Sequence, residues 1–96
     1  MIVDYLDDAT RDVHTGVESR AARRFGTDVR RIARRKLDLL GAAADVRDLA
    51  VPPGNRLERL RGDLSGYYTI RVNDQFRIIF QFEGGNASHV QLVDYH

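Results

Sequence analysis

The first part of the chain carries apolar residues at helical spacing. Residues 28–43 give the clearest helical pattern, with Thr27 as the predicted N-cap and Asp28 near the positive end of the helix dipole. Residues 7–14 favour a shorter helix with an acidic start, and Asp45 is placed to cap one further turn. The apolar stripe of the long helix is predicted to pack on a sheet, and its members are Val29, Ile32, Ala33, Leu37 and Leu40.

The second part of the chain changes to the two-residue period of β-strands. Two alternating runs, residues 67–72 and 76–82, flank a turn at Asn73 and Asp74, which predicts a hairpin. A further turn at residues 83–86 leads into the last strand.

Two further strands complete the expected sheet. The last strand is expected from about Ser88 to Tyr95. A short first strand is expected at Met1 to Tyr5. Helices followed by an antiparallel meander indicate a single α+β domain over residues 1–96. We expect the N-terminal strand and the helices to pack on a twisted, mainly antiparallel sheet.

The length of the hairpin turn decides which side chains meet across it. A two-residue turn places Arg71 opposite Phe76 and leaves the apolar faces of the two strands in disagreement. A three-residue turn over residues 73–75 places Arg71 opposite Arg77 and gives one clean apolar face. We favour the second register, although like charges directly opposed are destabilising. Such conflicts concentrate at functional sites, and simple surface pairing with acids such as Asp74 is the neutral alternative.

The amino-acid composition excludes several kinds of site and location. The 96 residues carry 15 Lys or Arg against 14 Asp or Glu, and they include three histidines and no cysteine. These counts exclude disulfides and thiolate metal sites and disfavour a zinc site, so we expect no cofactor and no metal. No apolar run reaches the roughly 18 residues of a membrane span. The acidic start of the chain lacks the pattern of a signal peptide, so a cytoplasmic location is expected.

The net charge of +1 hides an uneven distribution. Residues 20–36 are strongly basic, with Asp28 as their single acid, whereas residues 1–15 are mainly acidic. A basic helix face can hold phosphates, and plain solvation is an equally good interpretation for any one of its arginines. The arginines of the long helix are Arg30, Arg31, Arg34 and Arg35.

The remaining reactive side chains suit the cleavage of RNA without a protein nucleophile. Cysteine is absent, the serines lie in no recognisable motif, and Gly-rich phosphate loops are missing. The ribose 2′-hydroxyl can attack its own phosphodiester, so the protein must only orient it, stabilise the developing charge and move protons. Arginine suits the phosphate, imidazole suits proton transfer near pH 7, and tyrosine rings stack on bases.

One long sequence frame resembles a known family. The frame contains Pro-Pro-Gly-Asn-Arg-Leu-Glu at 52–58, Leu-Arg-Gly-Asp at 60–63, Ile-Arg-Val-Asn-Asp-Gln-Phe-Arg at 70–77 and Val-Asp-Tyr-His at 93–96. Together with Arg-Arg-Lys-Leu at 34–37, it resembles the HigB-like toxins of bacterial toxin–antitoxin pairs, within the RelE/ParE group. The resemblance implies a RelE-like fold.

The resemblance also implies particular site residues. Glu58 stands where some relatives carry a histidine that assists catalysis, so proton transfer is expected to rest on His96 with help from Glu58. Arg61 cannot act as a base, because its guanidinium does not deprotonate. The expected catalytic set is Arg61, Arg77, His96 and Glu58; the expected RNA-binding set is Arg56, Arg59, Tyr67, Arg71 and Tyr95; and the expected ribosome-binding set is Arg30, Arg31, Arg34 and Arg35.

The position of His96 conflicts with simple strand geometry. Strict alternation in the last strand places His96 on the same side as Leu92, which is the expected core face. A bulge or curl near the end is therefore required to bring it beside Arg77, and that placement rests on the resemblance. His14 and His89 match no motif position and are expected on the surface.

As a member of such a family, the chain is expected to be a toxin that cleaves mRNA in the ribosomal A site. Its implied partners are the ribosome, mRNA and a HigA-type helix-turn-helix antitoxin, with operator DNA contacted only through the antitoxin and no membrane involved. Two alternatives remain open: a ParE-like protein that poisons gyrase without nuclease activity, and a non-catalytic co-repressor, which the glutamate at position 58 permits. Message cleavage with and without ribosomes separates the three.

Overall fold

The computed structural model describes residues 1–95. Within this range two helices, α1 (Asp8–Thr15) and α2 (Thr27–Ala42), precede four strands. The strands form one antiparallel sheet in the order β1-β2-β3-β4, which confirms the predicted α+β class. Their bounds are Glu58–Arg59 for β1, Tyr67–Arg71 for β2, Phe76–Glu83 for β3 and Asn86–Asp94 for β4.

The two helices begin in different ways. The Asp7 side chain caps α1 by accepting a hydrogen bond from the Thr10 N–H at 2.8 Å. The predicted capping role of Thr27 is wrong, because Gly26 occupies the N-cap position of α2 without a side-chain cap and Thr27 is the first helical residue. The Thr27 hydroxyl instead accepts a hydrogen bond from Arg30 Nη2 at 3.3 Å. Neither helix has the length and apolar character needed to cross a membrane, and this holds for all helices within residues 1–95.

The helices cover one face of the sheet, and the core lies between them. The predicted apolar stripe of α2 is confirmed, since Ala33, Leu37 and Leu40 are buried. Val29 and Ile32 are partly buried and pack against the same cluster. The sheet contributes Ile70, Val72, Ile78, Phe80, Ala87, Val90 and Leu92 from the facing side of β2, β3, β4 and the adjoining turn.

The predicted N-terminal strand is reduced to two isolated parallel bridges beside β4. Ile2 pairs with Ala87, and Tyr5 pairs with Val90. Between these bridges the His89 N–H donates to the carboxylate of Asp4, Oδ1, at 2.5 Å and not to a backbone carbonyl. This side-chain bond interrupts the ladder, so the segment follows the edge of the sheet without becoming a full strand.

A bulge in the β3–β4 pairing shifts the alternation of β4. Gln81 pairs with Ser88, whereas Ile79 pairs with Gln91, so β4 carries an extra residue at this point. His89 has a positive φ of 52° within the bulge. The shift lets both Ala87 and Val90 point into the core.

The hairpin between β2 and β3 has the predicted three-residue turn. Ile70 pairs with Ile78 and Arg71 pairs with Arg77, which confirms the favoured register. The side chain of Asn73 organises the turn, because its Oδ1 accepts hydrogen bonds from the Gln75 N–H at 2.8 Å and from the Phe76 N–H at 2.7 Å.

Candidate functional site

The sheet face opposite the helices collects charged side chains from the β2–β3 hairpin. Arg71 and Arg77 are directly opposed across the two strands. Arg71 forms an ion pair with Asp74 of the turn, so part of its charge is compensated. We call the surface made by Glu58, Arg71, Arg77 and Tyr95 the arginine face.

Arg77 is the least solvated charge of the arginine face. Its side chain is 17% exposed, and its Nη1 lies 3.7 Å from Oε1 of Glu58. That separation is an ion pair but is too long for a hydrogen bond. Arg77 Nε and Nη1 are buried, and neither has a hydrogen-bond partner among the residues the structure describes. A buried guanidinium in this state favours a further anion, because unsatisfied buried donors are costly.

Tyr95 covers this guanidinium from one side. The Tyr95 N–H donates to the Gln75 carbonyl at 2.7 Å, which fixes the residue after β4 beside the hairpin turn. Its ring centroid lies 5.3 Å from Arg77 Cζ, within the range of a cation–π contact. The turn therefore restrains Tyr95, and Tyr95 restrains the plane of the Arg77 guanidinium.

Glu58 approaches Arg77 from the edge of the sheet. It lies on β1, a strand of two residues, and pairs with Thr69 of β2. Its side chain is 57% exposed. A carboxylate that is open to solvent and close to an arginine can give up this contact to an incoming phosphate and accept a proton.

Arg59, one residue along β1, belongs to the other face. It pairs with Tyr68, whose ring stacks on Phe80 of the core. Arg59 Nη2 donates to the Tyr68 hydroxyl at 3.1 Å, and its Cζ lies 5.6 Å from the ring centroid. The hydrogen bond to Tyr68 raises the pKa of Arg59 above its usual value. The structure thus separates Arg59 from Arg77, although both belong to the sequence-predicted site.

The other predicted site residues surround the arginine face at greater distances. Tyr67 lies on the same face and pairs with Gln81, four residues from Arg77 along β3, which corresponds to about 13 Å. Arg56 and Arg61 are exposed on either side of β1. Arg56 has a positive φ of 47°, and Arg61 stands at the N-terminal end of a 3₁₀ turn over Gly62–Leu64.

His96 lies outside the described residues. The bulge of β4 is at His89 and not at the end of the strand, so it does not provide the irregularity that alternation required near the C-terminal end. After the bulge Leu92 is buried in the core, whereas Tyr95 reaches Arg77 on the arginine face. The role expected for His96 stays a prediction.

Three of the four arginines of α2 are exposed, and Arg30 is half-buried. Arg31 pairs with Asp28 at 3.2 Å. Arg34 is exposed as well, but its Nε donates to the Val13 carbonyl of α1 at 3.1 Å, so it connects the two helices. Arg30 Nη1 lacks a hydrogen-bond partner among residues 1–95. Arg31 and Arg35 are therefore the arginines of the predicted ribosome-binding set that are most open to solvent.

Sequence reasoning missed a buried polar contact between α2 and the segment before β1. Lys36, which is only 9% exposed, donates through Nζ to Oδ1 of the fully buried Asn55. Burial lowers the pKa of Lys36, and the charges of Arg35 and Arg71 lower it further. A signal was present, because Lys36 falls inside the apolar stripe of α2, where a lysine is unusual.

His14 is also less exposed than expected. Its Nδ1 lies 2.5 Å from the Tyr5 hydroxyl and its Nε2 lies 2.8 Å from Asp38 Oδ1. Burial raises the pKa of Tyr5, and the charge of Asp38 adds to this effect. This chain of contacts joins the N-terminal segment to both helices and lies on the helix side of the molecule, so His14 has a structural role.

No cluster of three or more histidine, aspartate or glutamate side chains with the spacing of a metal site occurs in residues 1–95. The arginine face presents guanidinium donors, which can bind an anion, and one carboxylate, which can accept a proton.

Comparison with known families gives one match over nearly the whole chain. The family described as the RelE-like toxin of the type II toxin–antitoxin system HigB matches residues 4–96. Toxin HigB-1 of Vibrio cholerae is 52% identical over 58 residues, which cover 60% of this chain and 61% of that protein. Endoribonuclease HigB of Proteus vulgaris is 44% identical over 41 residues, covering 43% of this chain and 45% of that protein. The aligned parts thus span less than two thirds of either relative.

Solved structures with little sequence identity share the fold. The YoeB–YefM complex from Staphylococcus aureus contains a chain that superposes with a TM-score of 0.64 at 16% identity, covering 100% of this chain and 95% of that one. A YoeB/ParE toxin from Agrobacterium tumefaciens gives a TM-score of 0.54 at 18% identity, with coverage of 99% and 98%. These structures support the predicted RelE-like architecture.

Proposed function

Because the chain belongs to the family of HigB-like, RelE-type toxins of type II toxin–antitoxin systems, we propose that it is a ribosome-dependent endoribonuclease that cleaves mRNA. The observation that carries the proposal is the state of Arg77, a largely buried side chain whose Nε and Nη1 lack hydrogen-bond partners among residues 1–95 and lie beside an exposed carboxylate. The name of the Proteus vulgaris relative, an endoribonuclease, supports the same activity.

In the proposed reaction the 2′-oxygen of the ribose attacks the adjacent phosphorus, and the bond from phosphorus to the 5′-oxygen breaks. Arg77 binds the phosphate and stabilises the negative charge that grows on its oxygens, and Arg61 adds a second cation at the rim. The products are a 2′,3′-cyclic phosphate and a free 5′-hydroxyl, so the protein supplies no atom other than protons. The proposed reaction needs no cofactor and no metal.

Two groups are proposed to move the protons. Glu58 accepts the 2′-hydroxyl proton, because its exposed carboxylate lies next to the phosphate-binding arginine. His96 donates a proton to the leaving 5′-oxygen, a role that rests on the family resemblance. When the phosphate arrives, it replaces Glu58 as the anion that faces Arg77 and leaves Glu58 at the edge of the site.

The remaining residues are proposed to bind the message and the ribosome. Tyr67 and Tyr95 present rings to the bases, Arg56 and Arg71 bind flanking phosphates, and the exposed Arg31 and Arg35 contact ribosomal RNA. A HigA-type helix-turn-helix antitoxin is the proposed protein partner, through which alone operator DNA is reached. A cytoplasmic site of action follows from these partners.

The proposal is tested by incubating the purified protein with messenger RNA in the presence and absence of ribosomes. We expect cleavage only with ribosomes, at ends that carry a 5′-hydroxyl. Arg47→Ala is a control variant for the arginine replacements, because Arg47 is exposed, pairs with Asp45 and does not belong to the arginine face. Growth arrest with intact message and inhibited gyrase would instead support the ParE-like alternative, and neither effect would support a co-repressor.

A further inference from the structure

The segment between α2 and β1 is held by a buried polar contact that the proposed chemistry does not use. Lys36 Nζ donates to Asn55 Oδ1, and both side chains are buried. Asn55 Nδ2 donates to the Leu49 carbonyl at 3.1 Å and to the Val51 carbonyl at 3.2 Å. Each polar atom of the Asn55 amide thus has a partner, and this one side chain connects α2 to the C-terminal end of the 3₁₀ turn over Val46–Ala50.

This contact lies close in the chain to the site. Glu58 follows Asn55 by three residues, a stretch that spans at most about 10 Å. Of the two residues between them, Arg56 adopts a left-handed conformation and Leu57 packs against the core. The direction in which the chain enters β1 is therefore determined where Asn55 is anchored.

β1 is held on β2 by few contacts. It contains two residues, which pair with β2 as Glu58 with Thr69 and Arg59 with Tyr68. The Arg59 side chain bonds to Tyr68, and the Leu60 N–H donates to the Tyr67 carbonyl just after the strand. A strand this short is marginal by itself. The 3.7 Å separation between Glu58 and Arg77 is not a hydrogen bond, so it provides little directional restraint. None of these contacts between β1 and β2 involves the Glu58 side chain itself, so an anchor on the segment that leads into β1 would add to its restraint.

A lysine is a costly choice for such an anchor. Burial and the nearby charges of Arg35 and Arg71 oppose its protonated form, as the lowered pKa shows. Methionine would follow the same path through the core without that cost. What lysine adds over methionine at this position is the hydrogen bond to Asn55.

We propose that Lys36 and Asn55 are positioning residues, whose buried hydrogen bond anchors residues 49–57 to α2 and thereby holds Glu58 beside Arg77. The kinetic consequence rests on the proposed function, whereas the fixed position of β1 is a structural statement that can be tested without it.

The structural test uses hydrogen exchange in the native protein. The Leu60 amide donates to the Tyr67 carbonyl at 2.8 Å and reports whether β1 stays on β2. In the Lys36→Met variant we expect this amide to exchange about tenfold faster or more, while amides of α1 and of the β3–β4 pair keep their protection. Unchanged protection of the Leu60 amide would overturn the proposal.

Thr10→Val is the matched control. The Thr10 hydroxyl is fully buried and accepts a hydrogen bond from the Leu92 N–H at 2.9 Å, so its removal likewise breaks a buried hydrogen bond made by a helix side chain, here to the sheet. We expect Thr10→Val to leave the Leu60 amide as protected as in the native chain. Equal acceleration in both variants would show general loosening and would count against a specific anchor.

The kinetic test is a double-mutant cycle with Glu58→Gln, read as single-turnover message cleavage on programmed ribosomes. Lys36→Met should slow cleavage about tenfold in the native background, because small displacements of a reacting group are costly, and less than twofold when Glu58 is already Gln. Equal losses in both backgrounds, or no loss in either, would contradict action through Glu58. If the native chain cleaves no message, the proposed function fails, and the Leu60 exchange still decides the anchor.

Discussion

The arginine face and the exposed side of α2 are both rich in arginine, but their guanidinium groups are bonded in different ways. On α2, Arg31 pairs with Asp28 and Arg34 donates to the Val13 carbonyl. In the sheet, Arg77 is 17% exposed and keeps two buried nitrogens without hydrogen-bond partners among the described residues. The difference shows that the density of arginines along a sequence does not locate an anion site. Among residues 1–95, Arg30 of α2 has one buried nitrogen without such a partner, Nη1, whereas Arg77 has two and lies beside the carboxylate of Glu58. What marks the arginine face is therefore the combination of two unused buried donors with an exposed acid.

From this comparison we expect the arginine face of the sheet to act in RNA cleavage and the exposed arginines of α2 to contribute to ribosome affinity alone. The largest expected effect is that of His96→Gln, which should slow single-turnover cleavage by roughly 10²–10⁴, the usual contribution of a positioned acid or base. Binding to ribosomes and antitoxin should be retained. A rate within threefold of the native protein would remove the histidine from the mechanism and leave the arginine face to act alone.

Replacing the unbonded guanidinium tests the sheet side of the comparison directly. Arg77→Ala should lose about 3 kcal/mol of transition-state stabilisation, on the order of a hundredfold in rate, with the fold intact. Arg31→Ala serves as control, because it removes an exposed arginine of α2 and should leave the rate of the bound complex unchanged. Cleavage by Arg77→Ala at the native rate would exclude Arg77 from the site.

Glu58→Gln is expected to have a smaller effect that divides between two kinetic constants. The variant lacks the proposed base, so kcat should fall, but only on the order of tenfold. This loss is smaller than is usual for a general base, because the variant also removes the negative charge that competes with the phosphate for Arg77. Removal of that competing charge should lower KM as well. A variant with lower kcat but raised KM would show that Glu58 binds the substrate and does not take its proton.

The smallest effect is expected on the helix side. The double replacement of Arg31 and Arg35 by Gln should weaken ribosome association several-fold, and the salt slope should decrease by about one for each phosphate that the variant no longer binds. The cleavage rate of the bound complex should not change. An unchanged salt slope would assign this helix face to solvent or to the antitoxin.

Much of the fold was predictable because local rules and burial agreed. The stripe of α2 and the three-residue turn follow from apolar periodicity, since one choice alone gives a continuous apolar face. That choice also predicted the opposed pair of Arg71 and Arg77 before any structural information. The arginine face is thus partly encoded in strand alternation.

Other parts of the site could not be predicted, because they depend on contacts between distant segments. Arg59 faces away from Arg77 because it alternates with Glu58 and pairs with Tyr68, whose ring lies on the core side. β1 has two residues and follows an irregular segment, so the sequence contains too few residues to reveal this alternation. The contact from Lys36 to Asn55 joins residues 19 positions apart. In the sequence it is indicated only by a lysine within the apolar stripe of α2. The N-terminal pairing is broken by one side chain, that of Asp4.

The bulge at His89 has a consequence for how this sequence can change over evolutionary time. At the bulge one residue can be lost without changing the faces that follow, because Leu92 would stay opposite Ile78 and regular alternation would still place Ala87 and Val90 on the core side. Loss of a residue between Val90 and Tyr95 would instead exchange the faces of the residues after it, and Tyr95 would then leave Arg77 for the core side. The length from Val90 to Tyr95 should therefore be held more strictly than the length across the bulge.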